Sequence, residues 1–217
     1  MRLSLAKFTL VFLLLCSLTA VAQEYEEEER DILEFSVFGG GAFPGNSIKN
    51  WQDTLGAKSG FDLGFDFGYF LTPDLVLGLN FTYAQFAIDT DNEAKSLHHR
   101  LYNPALYLKY YFFIENSNFA PYVKGHVGVD NPKFTTFIGN VGLPRYRELS
   151  YDPAFAFGGG VGLLYYTSYY SGLFVEVNYH RALSKDVTKT YEGETYKFGE
   201  NISLIDVHAG ISVFFGS

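Results

Sequence analysis

The sequence lacks most of the devices by which a small exported chain holds itself together or does chemistry. Of 217 residues one is cysteine, one methionine and one tryptophan. The cysteine, Cys16, lies in a leading apolar segment, so the chain beyond it has no disulfide, no thiol nucleophile and no cysteine metal site. Basic residues are few, 16 Lys and Arg against 24 Asp and Glu, with no basic run or stripe, so no nucleic-acid partner is expected. Long hydrophobic runs are missing too: past residue 22 nothing reaches the ~18 apolar residues that a membrane-crossing helix needs. What is abundant is Gly (22), Phe (22) and Tyr (17) in a chain 47% apolar. That composition points to strands and turns rather than helices.

The leader has its own pattern. Arg2 and Lys7 are followed by an apolar run from Phe8 to Leu15 and by Ala20-Val21-Ala22, a small-residue cleavage site. Residues 1–22 therefore read as a cleavable signal peptide; the apolar run is too short for an anchor. Leu15 before Cys16 is too large for a lipoprotein signal. Loss of Arg2 and Lys7 takes the formal charge from −8 to −10. Glutamates 26 to 29 make residues 23–31 an acidic, solvated tail, predicted to be periplasmic. Residues 32–217 form the remaining domain.

That domain contains about eight segments of roughly ten residues with period-two alternation, the pattern of transmembrane strands. They fall near residues 32–43, 60–71, 75–88, 98–114, 119–130, 153–166, 172–183 and 201–215. Phe61, Leu63, Phe65, Phe67 and Tyr69, for instance, alternate with Asp62, Gly64, Asp66 and Gly68. Connections alternate as well. Short turns at 72–74, 115–118 and 167–171 separate long stretches at 44–59, 89–97, 131–152 and 184–200. Short periplasmic turns and long outer loops, with an even strand count, predict an all-β, eight-stranded antiparallel up-and-down transmembrane barrel with both termini in the periplasm.

A soluble barrel or sandwich would alternate too, with its apolar set inside. Volume decides between them. An eight-stranded barrel has an interior only just wide enough for side chains, and several Phe, Tyr, Leu or Val per strand exceed it. Gly, Ala, Ser and a few charges fit that lumen. Aromatics near the strand ends match interfacial girdles: Tyr69-Phe70, Tyr110 to Phe113, Phe119, Tyr122, Tyr165-Tyr166 and Phe214-Phe215 on the turn side, Tyr83, Phe86, Tyr102, Tyr151, Phe155 and Tyr179 on the loop side.

The C-terminal residues His208-Ala209-Gly210-Ile211-Ser212-Val213-Phe214-Phe215 look like the polar-x-Gly-x-x-hydrophobic-x-aromatic assembly signal of outer-membrane barrels, with His208, Gly210, Val213 and Phe215 at its defining positions. Phe38-Gly39-Gly40-Gly41 and Gly158-Gly159-Gly160-Val161-Gly162 are similar in flavour. Over essentially the whole mature chain the sequence resembles the small outer-membrane barrels typified by outer membrane protein X and the transmembrane part of outer membrane protein A. The resemblance implies the outer membrane of a Gram-negative bacterium. It also implies contact with outer-membrane lipid, including lipopolysaccharide, and with periplasmic chaperones and the assembly machinery during biogenesis.

The alternation places Glu34, Asp62, Asp66, Lys109, Lys124, His126, Glu176, His180, Asp206 and His208 inside. Buried charges must be paired, so these predict a lumenal ion-pair network that plugs the barrel, with Lys109 and Lys124 reaching Glu176 or Asp206. A narrow porin-like channel for ions or small solutes is the alternative. An enzyme acting on envelope lipid or peptide is a weaker one. The lipid A deacylases use His-x-Ser, which this chain lacks. Asp89, Asp91, His98, His99 and Asp130 lie near the expected outer rim, as in outer-membrane proteases, but adjacent histidines point to opposite faces of a strand. No catalytic residue, cofactor or metal ligand is assigned. The glycine runs precede no helix and so are not phosphate loops; their expected role is to make room for larger residues opposite. The long loops, with Trp51, Phe134, Arg145 and Tyr191 among their residues, are the expected carriers of any surface interaction.

Overall fold

A computed structural model describes residues 31–45, 56–88, 98–138, 145–183, 187–191, 194–198 and 201–216. The predicted signal peptide, nearly all of the acidic tail, Trp51, Asp89 and Asp91 lie outside the described residues. Eleven strands run through those described: β1 Asp31–Pro44, β2 Ala57–Thr72, β3 Leu75–Ile88, β4 His98–Tyr111, β5 Phe119–Ile138, β6 Arg145–Ser150, β7 Ala154–Ser168, β8 Ser171–Leu183, β9 Val187–Tyr191, β10 Glu194–Phe198 and β11 Ile202–Gly216. Eight of them close a barrel in the order β1, β2, β3, β4, β5, β7, β8, β11, every pairing antiparallel, and β11 pairs with β1 to complete the ring.

The alternation in sequence is the alternation of the wall. Phe61, Leu63, Phe65, Phe67 and Tyr69 point outward and are 44% to 52% exposed, while Asp62 and Asp66 between them are buried. The same holds for Leu173, Val175, Val177 and Tyr179 against Glu176, Asn178 and His180. A wall of exposed aliphatic and aromatic side chains around a charged interior is stable only where the outside is hydrocarbon.

The strands differ from the sequence expectation mainly at the loop end. The stretch 131–152, expected to be a loop, instead carries β5 on to Ile138, where it pairs with β6 as a hairpin rising from the wall. The stretch 184–200 holds a second hairpin, β9–β10. At the other end β4 stops at Tyr111 rather than Ile114. The chain then turns through Asn116, at φ 57°, a left-handed conformation that Asn tolerates.

Seven of the aromatics assigned to girdles line the lumen instead. Tyr69, Tyr110, Phe119, Tyr165 and Phe215 are exposed, whereas Tyr111, Tyr122 and Phe214 are buried inside and Phe70 and Tyr166 pack on them. On the loop side Phe155 and Tyr179 face out, and Phe86 and Tyr151 face in. The cause is the period of two: within a strand one ring of an adjacent aromatic pair points inward, as in Tyr69-Phe70, Tyr110-Tyr111, Tyr165-Tyr166 and Phe214-Phe215.

Candidate functional site: a charged lumen between two apolar layers

Inward-facing residues form three tiers. Toward the short turns, Val76, Tyr107, Tyr111, Tyr122, Leu164, Phe174 and Phe214 make an apolar layer. Toward the long loops, Phe86, Leu101, Phe134, Tyr151, Ile202 and Leu204 make another, filled in by alanines. Polar and charged side chains occupy the space between and extend down beside Tyr111.

Lys109 and Lys124 are direct cross-strand partners in the β4–β5 ladder, an arrangement of like charges that needs compensation. They diverge to obtain it. Lys109 Nζ donates to Glu34 Oε1 at 2.7 Å, and the same oxygen accepts from the Tyr111 and Ser36 hydroxyls at 3.0 Å. Lys124 Nζ donates to Asp66 Oδ2 at 2.6 Å and lies 3.5 Å from Glu176 Oε1. Both ammonium groups also sit over tyrosine rings, Lys109 over Tyr122 at 5.1 Å and Lys124 over Tyr107 at 4.9 Å. Neither lysine takes Asp206 as its partner in this arrangement. Along β11, Asp206 lies farther toward the loop end than Glu34, Asp66 and Glu176 do along their own strands, beyond the tier the ammonium groups reach.

Nearer the loops, Asp130 Oδ2 pairs with His180 Nε2 at 2.8 Å, and His180 Nδ1 with His126 Nε2 at 3.0 Å. Asp130 also accepts from Asn103 Nδ2 at 2.7 Å. Its expected place at the outer rim is thus corrected. Because β5 continues to Ile138, Asp130 is an interior position on the same face as Lys124 and His126. His99 is fully buried beside Phe134, with its Nδ1 accepting from the Thr135 amide, and His98 is half-buried on the opposite face. The last pair joins His208 Nε2 and Asp62 Oδ2, and Asp206 lies beside it.

Two of these contacts join strands on either side of a single intervening strand, and in both a glycine of that strand lies between them. His126 on β5 and His180 on β8 are both in register with Gly158 of β7. Asp62 on β2 and His208 on β11 are both in register with Gly40 of β1. With no side chain on the middle strand, the two flanking side chains close over it.

Of the residues expected inside, Glu34, Asp62, Asp66, Lys109, Lys124, Glu176, His180, Asp206 and His208 are buried and His126 is half-buried facing in. The network also uses residues not expected in it: Ser36, Asn80, Asn103, Asp130, Asn178 and Ser212, all buried. Strand parity places all of them but Asn80 inside, since each of the others sits an even number of residues from a charged lumenal neighbour; β3 carries no charge, and Asn80 is placed by its register with Asp66. In the terminal assembly pattern, His208 is buried in the lumen and Phe215 is exposed on the outer face. Among the described residues a cavity lined by Asn80, Asn103, His126, His180, Asp206 and His208, among others, measures about 30 Å³.

Residues 8–202 match the family model described as the outer membrane protein beta-barrel domain. The chain belongs to that family. Among solved structures, Neisserial surface protein A superposes with a TM-score of 0.55 at 16% identity, covering 84% of this chain and 97% of that one. The outer membrane protein AlkL superposes with a TM-score of 0.51 at 18% identity, covering 89% and 95%. At such identities the likeness is one of fold. Curated protein sequences give no match.

Proposed function

We propose that this outer-membrane barrel is a non-conducting, non-enzymatic element of the envelope of a Gram-negative bacterium, exported by its signal peptide and acting through its outer face and long loops. The observation that carries the reading is the lumen. Two apolar layers bracket a hydrogen-bonded network of charges, and the cavity of about 30 Å³ within that network is room for a water or two. The inward-facing histidines at 126, 180 and 208 are committed to lumenal partners, which favours a structural role for them over catalysis. The outward wall would contact outer-membrane lipid, including lipopolysaccharide, and assembly would require periplasmic chaperones and the barrel-assembly machinery.

The loop end is built to present something. The β5–β6 hairpin stands above the wall, footed by Phe134 and Tyr151 inside the barrel and by an ion pair between Arg100 and Glu148 at 3.1 Å. A strand-paired hairpin at the outer rim suits contact with a surface partner.

Planar-bilayer recording of the detergent-folded protein tests the plug: no unitary conductance is expected, and steady ohmic channels would overturn it. Deletion of the gene tests the envelope role. Unchanged detergent sensitivity and unchanged surface adhesion would remove it.

A further inference from the structure

Six buried carboxylates face the lumen among the described residues, against two lysines. Lys109 is committed to Glu34, and Lys124 to Asp66 and Glu176. Asp130 is matched by His180. That leaves Asp62 and Asp206 sharing one imidazole, His208. Each of the three presents a donor atom within 4.8 Å of the other two. One oxygen of each carboxylate, Asp62 Oδ1 and Asp206 Oδ1, is buried with no hydrogen-bond partner, although the residues are only 2% and 5% exposed. Orphaned carboxyl oxygens at buried positions are costly unless a positive charge or a shared proton meets them.

We propose that Asp62, Asp206 and His208 bind one divalent transition-metal ion, with Zn2+ the best match. One imidazole nitrogen with two carboxylate oxygens is a ligand set for Zn2+ and its neighbours, whereas Mg2+ and Ca2+ favour oxygen alone. The surroundings of His208 favour positive charge. The second ring nitrogen, His208 Nδ1, faces Glu176 Oε1 at 3.7 Å, and Glu176 is held in turn by Asn178 at 2.6 Å and by Lys124. At that distance the carboxylate acts through its charge, favouring a cation at the ring, while Asn178 Nδ2 lies nearer to Nδ1, at 3.4 Å. Asp206 and His208 also line the lumenal cavity, which has room for a water as fourth ligand. The ion would take the place of the proton in the present His208–Asp62 hydrogen bond. It would tie β2 to β11 across β1, over the seam where the first and last barrel strands meet.

The inference rests on the sealed lumen of the reading above but not on its envelope role, and its readout is metal content rather than conductance. A conducting protein that retained zinc would sink the plug and leave the site standing. Untagged protein is folded in detergent with Zn2+, passed through metal-free buffer, and analysed by mass spectrometry and zinc-edge X-ray absorption. The expected result is about one ion per folded chain, with an imidazole and oxygens in its first shell. Asp206→Asn and His208→Gln should reduce retention to background, while Asp130→Asn, in the same lumen but outside the triad, should not. No retained zinc in the wild type, meaning that the two carboxylates share a proton instead, overturns the proposal. So does retention unchanged in both triad variants, or a first shell without imidazole. Should the variants fail to fold, the absorption spectrum of the wild type decides alone.

Discussion

Replacing Lys109 with methionine separates charge from packing in the lumen. Methionine keeps most of the stem that lies among Tyr107, Tyr111 and Tyr122 but removes the ammonium that Glu34 accepts from at 2.7 Å. Glu34 is fully buried, and its Oε2 already lacks a partner, so the variant strands a carboxylate. Breaking one side of a buried pair costs about 3–5 kcal/mol. A stranded carboxyl group can escape by taking up a proton. At pH 7 this costs about 3.7 kcal/mol for a group that ionises near 4.3 in water, and about 1.4 kcal/mol less for each pH unit below that. Escape by protonation therefore caps the loss near 3–4 kcal/mol at pH 7 and near 1 kcal/mol at pH 5. The sign follows: the penalty is full at neutral pH and fades as pH falls. Glu34→Gln added to Lys109→Met removes the stranded charge and should return stability to within about 1.5 kcal/mol of wild type. Equilibrium urea unfolding in detergent or lipid vesicles, followed by the heat-modifiable band on gels, gives each number. A Lys109→Met penalty equal at pH 5 and pH 7, or one that Glu34→Gln does not relieve, would show that the loss is packing and refute the charge argument.

Other consequences can be checked in the same assay. Val161, mid-strand on β7 and 60% exposed, faces lipid in this orientation, so Val161→Arg should cost about 2–4 kcal/mol in vesicles, against about 0–1 kcal/mol for Leu71→Arg beside the turn. Equal small costs at the two sites would mean a wet outer face. Phe134→Ala removes a fully buried ring from the loop-side layer and should cost about 3–5 kcal/mol. It should leave bilayers non-conducting, because the ion pairs and the turn-side layer remain. Conductance in that variant would show that the loop-side layer is the whole barrier.

How much of this was legible in the sequence follows from which quantity each feature depends on. Strand number, direction and facing depend on local period and turn chemistry, so Asp62 and Asp66 between phenylalanines announce both their strand and their side of the wall. The same parity would have assigned Tyr111 and Phe214 to the lumen, had adjacent aromatics been read one at a time rather than as girdle pairs. Which charges meet depends on register and on distance along the barrel axis, which no single strand carries. Lys124 therefore finds Asp66 and Glu176, and Asp206 is left with His208 and Asp62. The hairpin extensions of β5 and β6 escaped notice for a different reason. They stand above the membrane, where Lys133, Arg145 and Arg147 break the apolar alternation that marks a wall strand.

Glycines in the wall carry a second kind of information, because a missing side chain shapes what its neighbours reach. Two of them should respond to substitution in opposite ways. A Cβ on Gly162 would meet only atoms of the Tyr122 side chain among its nearest contacts, Cε1 lying 2.7 Å away. A Cβ on Gly40 would meet the backbone of the adjacent strand, the Val207 carbonyl and, at 3.0 Å, the His208 Cα. Overpacking of this kind costs about 1–3 kcal/mol when a side chain can move aside. Gly162→Ala should therefore lose about that much, and Tyr122→Leu, which shortens the obstructing side chain, should recover most of it when the two are combined. Gly40→Ala has no such partner: the conflict is with main chain at the β1–β11 seam, and no lumenal truncation should rescue it. If Tyr122→Leu and Gly162→Ala were merely additive in unfolding measurements, the glycines would be serving backbone geometry throughout. The meeting of next-nearest strands over them would then be a consequence of that geometry and not its reason.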